Sequence, residues 1–231
     1  MPASWNPVDG RIAGAGKGNS VVLSLAPYES RVIVFSKQAE NAAPVFLPIL
    51  QPKVELRDWK VTFEGPAITE TLNPLKSWTD DERTKYFSGS AAYETSFERP
   101  AENLPYYLNL GEGTSVETVE KRSGNGMRAM FESPVREAAK VYVNVSLAGS
   151  VWCPPYEIEV TRLLHAGKNT IRIVVANLAI NQLAKGPLPD YKALNAKYGE
   201  RFQPQDLQNL QPVPAGLLEP VRIIGKRELV R

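Results

Sequence analysis

From residue 54 to residue 177 the chain repeats one pattern: short runs of alternating apolar and polar residues, each closed by Gly, Pro, Asn or Ser. The runs are 54–64 (VELRDWKVTFE), 90–98 (SAAYETSFE), 105–111 (PYYLNLG), 124–132 (GNGMRAMFE), 139–152 (AKVYVNVSLAGSVW), 156–161 (YEIEVT) and 169–177 (NTIRIVVAN). A period of two sends successive side chains to opposite faces of a strand, and turn residues at this spacing suit hairpins. The pattern predicts an all-β fold, a sandwich or jelly roll. Helical periodicity is weak until residue 177. Beyond it, 177–184 and 191–198 are each expected to form a short helix, with Asp190 as N-cap of the second.

With 231 residues, 43% of them hydrophobic and 23% charged, the chain has enough apolar material for a packed interior. Its net charge is +2 and it has no long basic run, which argues against nucleic acid as a partner. No stretch approaches the roughly 18 apolar residues that span a bilayer, so a soluble chain with no membrane partner is expected. Residues 1–15 lack the charged start and apolar middle of a signal peptide, and location stays open. A single cysteine, Cys153, excludes an internal disulfide, and with a single histidine, His165, it cannot build the usual four-ligand zinc site. His165 lies in a stretch, 163–169, that reads as a turn between strands.

Three segments are expected. Residues 1–37 read as the β-hairpin remnant of a preceding β-domain, with runs at 21–25 and 31–35 around a turn. Residues 38–53 carry three prolines and no period, and read as a Pro-rich linker. Residues 54–231 form the main domain, with a long irregular, partly helical excursion from 178 to 217 before a last strand. Pro-rich turns and polar amides suit a segment that packs over another surface, because its backbone groups must find partners that a strand would have supplied.

Two passages carry a family resemblance. One is Leu75-Lys76-Ser77-Trp78 followed by Lys85-Tyr86-Phe87-Ser88-Gly89-Ser90-Ala91-Ala92-Tyr93. The other is Ala148-Gly149-Ser150-Val151-Trp152-Cys153-Pro154-Pro155-Tyr156-Glu157-Ile158-Glu159-Val160-Thr161, then Gly167-Lys168-Asn169. Both resemble the galactose-binding-like jelly roll known as the sugar-binding domain of glycoside hydrolase family 2. Together with the later stretch 215–223 (AGLLEPVRI), they resemble the C-terminal domain of large bacterial proteins similar to the family 106 α-L-rhamnosidases. The family pattern usually places an Asn-Gly turn where this chain has Asn144-Val145. Val does not readily take positive φ, which is an obstacle to a tight turn there.

The resemblance implies a galactose-binding-like jelly-roll β-sandwich and a non-catalytic accessory, carbohydrate-binding-like module of an enzyme that degrades plant-type polysaccharide. In that family the catalytic acid and base lie on a (β/α)₈ barrel N-terminal to this domain, and no barrel pattern occurs here. The partner is then carbohydrate or the catalytic domain of the same enzyme. Removing that domain would expose an apolar interface prone to self-association. The full-length bacterial protein would be periplasmic or secreted. The alternative is a free-standing carbohydrate-binding module with its own sugar site.

Candidate sugar-binding residues are Trp78, Tyr86, Trp152, Tyr156, Asp190, Tyr191, Tyr198 and Arg201: aromatic faces on which a ring stacks, with polar groups to hold its hydroxyls. Tyr93 belongs to the same aromatic set. A role in the core or at a domain contact is the expectation for Trp78, Tyr93 and Trp152, since a sandwich of this size needs large aromatics inside. Catalytic residues are not expected. Asp80-Asp81-Glu82 and 117–120 read as solvated loops, and Glu157 and Glu159 as the wet face of a half-buried strand. No cofactor is expected. Calcium stabilises some domains of this fold, but no loop of spaced acids offers it ligands.

Overall fold

The structure, a computed structural model, describes residues 2–7, 10–16, 19–21, 23, 25, 29–37, 46–48, 54–115, 131–187, 189–200 and 210–228. In chain order the strands are β1 (Pro2–Trp5), β2 (Ile12–Gly14), β3 (Val32–Phe35), β4 (Phe46–Pro48), β5 (Val54–Glu55), β6 (Trp59–Phe63), β7 (Thr69–Leu72), β8 (Ser90–Glu98), β9 (Tyr106–Asn109), β10 (Thr114–Ser115), β11 (Phe131–Glu132), β12 (Val135–Arg136), β13 (Ala138–Val143), β14 (Ser146–Val151), β15 (Glu157–Glu159) and β16 (Lys168–Ala176). Helices α1 (Ile180–Ala184) and α2 (Tyr191–Tyr198) follow, then strands β17 (Gly216–Leu217) and β18 (Arg222–Glu228).

The fold is all-β and its sheets are antiparallel. One sheet has six strands in the order β14-β13-β16-β8-β6-β7; another runs β15-β9-β18-β4, with β5 also on β18. Their apolar faces share one core. Trp59, Val61 and Phe63 of β6, Tyr93 and Phe97 of β8, Val141 and Val143 of β13, and Ile171, Ile173 and Val175 of β16 meet Tyr106 and Leu108 of β9, Val160 and Ile223. Each set keeps the period of two that the sequence shows. The other face of the six-stranded sheet is polar, and Lys60, Glu94, Arg172 and Tyr142 form one row across four strands. In that row Arg172 lies 3.5 Å from Glu94 and 5.6 Å above the Tyr142 ring.

Close approach explains Gly149. A Cβ there would fall 2.4 Å from Cδ1 of Ile158, so the glycine lets β15 of one sheet press against β14 of the other. Val160 is buried and Ile158 half-buried, as expected for the inward face of that run, while Glu157 and Glu159 lie on its other side.

The N-terminal segment differs from the expected hairpin. β3 pairs with β1, which pairs in turn with β2, giving a three-stranded sheet in the order β2-β1-β3. Val21, Leu23 and Leu25 lie outside its strands. A partner more distant in sequence replaced the adjacent run because period and turn residues do not specify which strand a strand meets. Within the expected linker, β4 pairs with residues 226–228 of β18, so part of that segment belongs to a sheet. The run at 124–132 lies outside the described residues except for Phe131 and Glu132, as do residues 117–120.

Residues 86–89 form a turn and a bend, and β8 begins only at Ser90. Another segment approaches the backbone closely at Gly89: Asn177 N–H donates to the Gly89 carbonyl at 3.1 Å, and Gly89 N–H donates to Asn177 Oδ1 at 2.9 Å. His165 sits in the expected turn, closed by Asn169, which accepts from His165 N–H at 2.8 Å and donates to its carbonyl at 3.0 Å.

The tight turn that Val145 opposed is nevertheless formed. Val143 pairs with Ser146 across a two-residue loop in which Asn144 has φ 47° and Val145 φ 66°. The left-handed conformation costs a side chain with a Cβ about 1–2 kcal/mol. Asn144 holds it in place. Its Nδ2 donates to the Leu163 carbonyl and to Asn169 Oδ1, both at 2.8 Å, and its Oδ1 accepts from Thr170 N–H at 3.0 Å. Val145 itself is 93% exposed and has no packing to lose. The Val145→Gly variant should therefore gain about 0.5–1 kcal/mol of unfolding free energy, the relief of strain less the added chain entropy. Urea denaturation monitored by circular dichroism measures it.

Candidate functional site

The two sheets end differently. At one end the connections are tight turns, at 144–145 and 163–169. At the other, β14, β16 and β8 open into long irregular segments.

Their meeting point is Tyr93, fully buried on β8. Its hydroxyl accepts from Trp78 Nε1 at 2.5 Å and from Leu217 N–H at 3.4 Å. Trp78 is held by a short 3-10 turn, Trp78–Asp80, capped by Ser77. Its N–H donates to the Ala215 carbonyl at 3.0 Å, and Ala215 N–H returns a bond to Ser77 Oγ at 3.1 Å. A Cβ on Gly216, which has φ 100°, would fall 2.5 Å from both Trp78 Nε1 and the Tyr93 hydroxyl. The segments around 78, 93 and 216 are thus three sides of one joint.

Asparagines tie the excursion to the same end. Asn177 Nδ2 donates to the Phe87 carbonyl at 2.9 Å, and Gln182 N–H donates to Ser88 Oγ at 3.0 Å. Asn181 is fully buried, and its amide pairs with the backbone N–H and carbonyl of Val213, each at 2.9 Å. A side-chain amide carries the same donor and acceptor as a peptide group, so it stands in for a strand neighbour. The outward faces differ. Leu178 and Leu183 are 51% and 57% exposed.

The structure separates the candidate sugar-binding residues. Trp78, 2% exposed, packs edge-on against Phe63 at 5.3 Å and offers no face to a ligand; it belongs to the core, as does Tyr93. Tyr156 is buried too, stacked on Phe131 at 6.4 Å between ring centres. Burial pushes its hydroxyl pKa up, Ser133 opposes that by hydrogen bonding, and the charges of Cys153, Glu137 and Arg136 act on it as well. Trp152 lies outside the core, which leaves the domain contact of the expectation open to it: it is 61% exposed, because β14 ends at Val151 and the Pro154-Pro155 pair leads the chain away. Tyr86 is half-buried beneath Lys85 Nζ, 5.8 Å from the ring centre.

Asp190 acts as the N-cap of α2, accepting from Ala193 N–H at 3.0 Å. Its carboxylate is committed to the helix. Tyr191 is half-buried at the start of that helix, and Tyr198 is exposed at its end under Lys197 Nζ at 5.1 Å. Arg201 lies outside the described residues. Arg136, whose backbone pairs with Gly216, and Glu137, whose N–H donates to the Ala176 carbonyl at 2.8 Å, also lie at this end. A lone Arg-Glu pair has no motif, so only placement reveals them.

Three carboxylates that the sequence singled out, Asp81, Glu82 and Glu157, are engaged in ion pairs. Asp81, half-buried, is held down to about 2 by hydrogen bonds from the Arg83 side chain and backbone. Glu82 meets Lys85 at 3.0 Å. Glu157 is paired with Lys226, whose Nζ also lies 4.1 Å from the centre of the Tyr107 ring. Burial and the neighbouring Glu159 and Glu157 push the Tyr107 hydroxyl up to about 12. A cleft of about 770 Å³ toward the tight-turn end is lined by Glu55, Arg57, Asp58, Lys60, Glu94 and Lys168 around Leu56 and Phe97. Its rim is an exposed charge ladder in which Glu55 is paired to Arg57 and Arg222. Such pairs are worth little in water. Among the described residues no group of three or more His, Cys, Asp or Glu is placed to hold a metal ion, and no helix is long and apolar enough to cross a membrane.

No family model matches the chain. Over 225 residues it is 26% identical to a Formosa agariphila protein named "Putative beta-glucuronidase", an alignment covering 86% of this chain and 18% of that protein. Among solved structures, the rhamnosidase from Novosphingobium sp. PP1Y matches with a TM-score of 0.64 and 24% identity, covering 98% of this chain and 20% of that one. A Bifidobacterium dentium β-glucuronidase matches with a TM-score of 0.45 and 18% identity, over 82% of this chain and 31% of that one. Its relatives are glycoside hydrolases. The chain spans about a fifth of the length of the Formosa protein and of the rhamnosidase, and the rhamnosidase shares its fold over that stretch.

Two measurements check the placement of the aromatics. Trp78→Ala should cost about 3–5 kcal/mol of stability, as for other buried large-to-small changes, whereas Trp152→Ala should stay within about 0.5 kcal/mol of the parent. Burial, the largest effect, pushes the Tyr93 hydroxyl up to about 12, while Trp78 and Leu217 oppose it. An unfolded tyrosine ionises at about 10. Below that pH both states hold the proton. Above it the unfolded chain loses its proton first, so stability should fall as the pH rises from 10 toward 12. Denaturation followed at stepped alkaline pH, with phenolate absorbance recorded alongside, tests this.

Proposed function

We propose that this chain is a non-catalytic accessory module of a glycoside hydrolase acting on plant-type polysaccharide. In this reading it is a galactose-binding-like jelly-roll β-sandwich whose irregular end docks on the catalytic barrel of the same polypeptide. One observation carries the proposal. The segments of that end are tied to one another by Ser77, Asn177 and Asn181, yet Leu178 and Leu183 face outward. An apolar surface on loops held this firmly suits a partner of fixed shape, because little ordering entropy is lost on contact. The match to about a fifth of much longer glycoside hydrolases supports a partner in the same chain.

The engagement of Asp81, Glu82 and Glu157 in ion pairs supports catalysis elsewhere, since glycoside hydrolysis usually needs two carboxylates about 5 to 10 Å apart across a sugar. The purified chain should associate with itself as its concentration rises. The double variant Leu178→Glu/Leu183→Glu should be monomeric, with an unchanged melting temperature, in sedimentation velocity. A parent chain that is strictly monomeric at high concentration counts against docking through this face. Turnover of aryl rhamnosides, galactosides or glucosides that survives repurification would overturn the non-catalytic reading.

A further inference from the structure

The six-stranded sheet is incomplete along half of one strand. All nine residues of β8 pair with β16, whereas β6 pairs only with residues 91–94. Asp58, at φ 52°, turns the chain out of the ladder, and Val54 and Glu55 belong to the other sheet through β18. Leu56 follows them, giving its N–H to the Val221 carbonyl at 2.9 Å. Between this departing segment and the outer half of β8 lies the cleft of about 770 Å³, with Leu56 and Phe97 among its walls.

The backbone at this gap is open. Glu64 N–H donates to the Ser90 carbonyl at 2.9 Å, and an antiparallel ladder alternates, so the N–H and C=O of every second residue, through Ser96 and Glu98, point to that same side. Those of Ser96 and Glu98 have no backbone partner there among the described residues. The open stretch, residues 95–98, is about 13 Å long at the rise of a strand, which matches about four residues of an added one. Its two faces differ. Phe97 turns inward to the core that holds Leu56, while Ser96 and Thr170 pair on the exposed face.

The charges at the rim select the occupant. Glu55 is paired to Arg57 and Arg222, Glu94 to Arg172, and Asp58 accepts from Asn73 Nδ2 at 2.8 Å. Lys60, Lys168 and Glu98 are exposed, and none of them makes an ion pair among the described residues. Two uncommitted lysines against one uncommitted glutamate favour an acidic partner.

We propose that this gap is a strand-addition site for an extended acidic peptide of another protein, one in which apolar and acidic residues alternate. Its backbone completes the hydrogen bonds of Ser96 and Glu98, its apolar side chains fall toward Leu56 and Phe97, and its carboxylates share the outward face with Lys60 and Lys168. The cleft lies at the tight-turn end, away from the face read as docking on the barrel, so the occupant belongs to a separate chain. The site uses neither Leu178 nor Leu183 and does not depend on that reading.

An NMR titration of the isotope-labelled full chain with the blocked pentapeptide acetyl-Val-Asp-Val-Asp-Val-amide tests the proposal. Amide shifts confined to residues 54–60, 95–98 and 168–170 and saturating at about millimolar concentration are expected, with slowed exchange of the Ser96 and Glu98 amide protons. The same peptide with Lys in place of Asp should bind about tenfold more weakly, and so should the acidic peptide with its internal nitrogens methylated, since one loses the charge match and the other its N–H donors. Lys60→Glu/Lys168→Glu should weaken the acidic peptide to a similar degree. Thermal melts identify a variant that fails to fold, and the methylated peptide, which needs no variant, decides the point without it. No saturable shift at the gap, equal binding of the lysine peptide, or equal binding of the methylated peptide would each overturn the proposal. Shifts gathered around Leu178 and Leu183 would overturn it too and assign the peptide to the docking face. Self-association is read separately by sedimentation, so the docking reading and the strand-addition site fail independently.

Discussion

The Tyr93 hydroxyl is the point on which the irregular end of this protein depends. It lies in an apolar core and cannot be left without partners, because a buried hydroxyl without a hydrogen bond is strongly destabilising. Trp78 and the backbone of Leu217 supply them, and Gly216 makes room for all three. One polar atom thereby joins segments that lie more than a hundred positions apart in sequence. The first motif passage and the later 215–223 stretch have their physical meaning here: they are walls of the same joint.

The two ends of the sheets solve the same problem with different means. At the tight-turn end, Asn169 binds the backbone of His165 four residues away, and Asn144 reaches from one turn to Leu163 and Thr170 of the next. At the irregular end, Asn177 and Asn181 do so over long sequence distances, to Phe87 and Val213. An amide side chain can serve as a detached peptide group, which lets chain without regular pairing be buried. Loops tied in this way keep a fixed shape, and a fixed shape with leucines on its outer side is a surface suited to contact with another domain.

Strain is tolerated where the surroundings leave no alternative. Asn144 and Val145 both take positive φ, although only the first suits it, because the Asn144 amide is engaged on the 163–170 turn and the strands on either side are in register. Single-residue preference is of order 1 kcal/mol and loses to several hydrogen bonds and two paired strands. The same reasoning covers the N-terminal segment. Its 31–35 run was legible as a strand, but its partner proved to be β1, since pairing is decided by the whole sheet and not by the nearest apolar run.

Local pattern determined the fold class, the inward residues of β6, β13 and β16, the two helices and the Asp190 cap, because each depends on periodicity or on groups a few residues apart. The motifs marked which passages matter and the kind of protein they resemble. Tertiary structure decided which aromatics are free: Trp78 and Trp152 look alike in sequence, yet one closes the core and the other stands in solvent, because one sits against Tyr93 and Gly216 and the other follows the end of an edge strand. It also decided that Arg136 Nε is buried without a hydrogen-bond partner among the described residues. Burial and the absence of a partner are properties of the surroundings, and the sequence of neighbouring residues does not carry them.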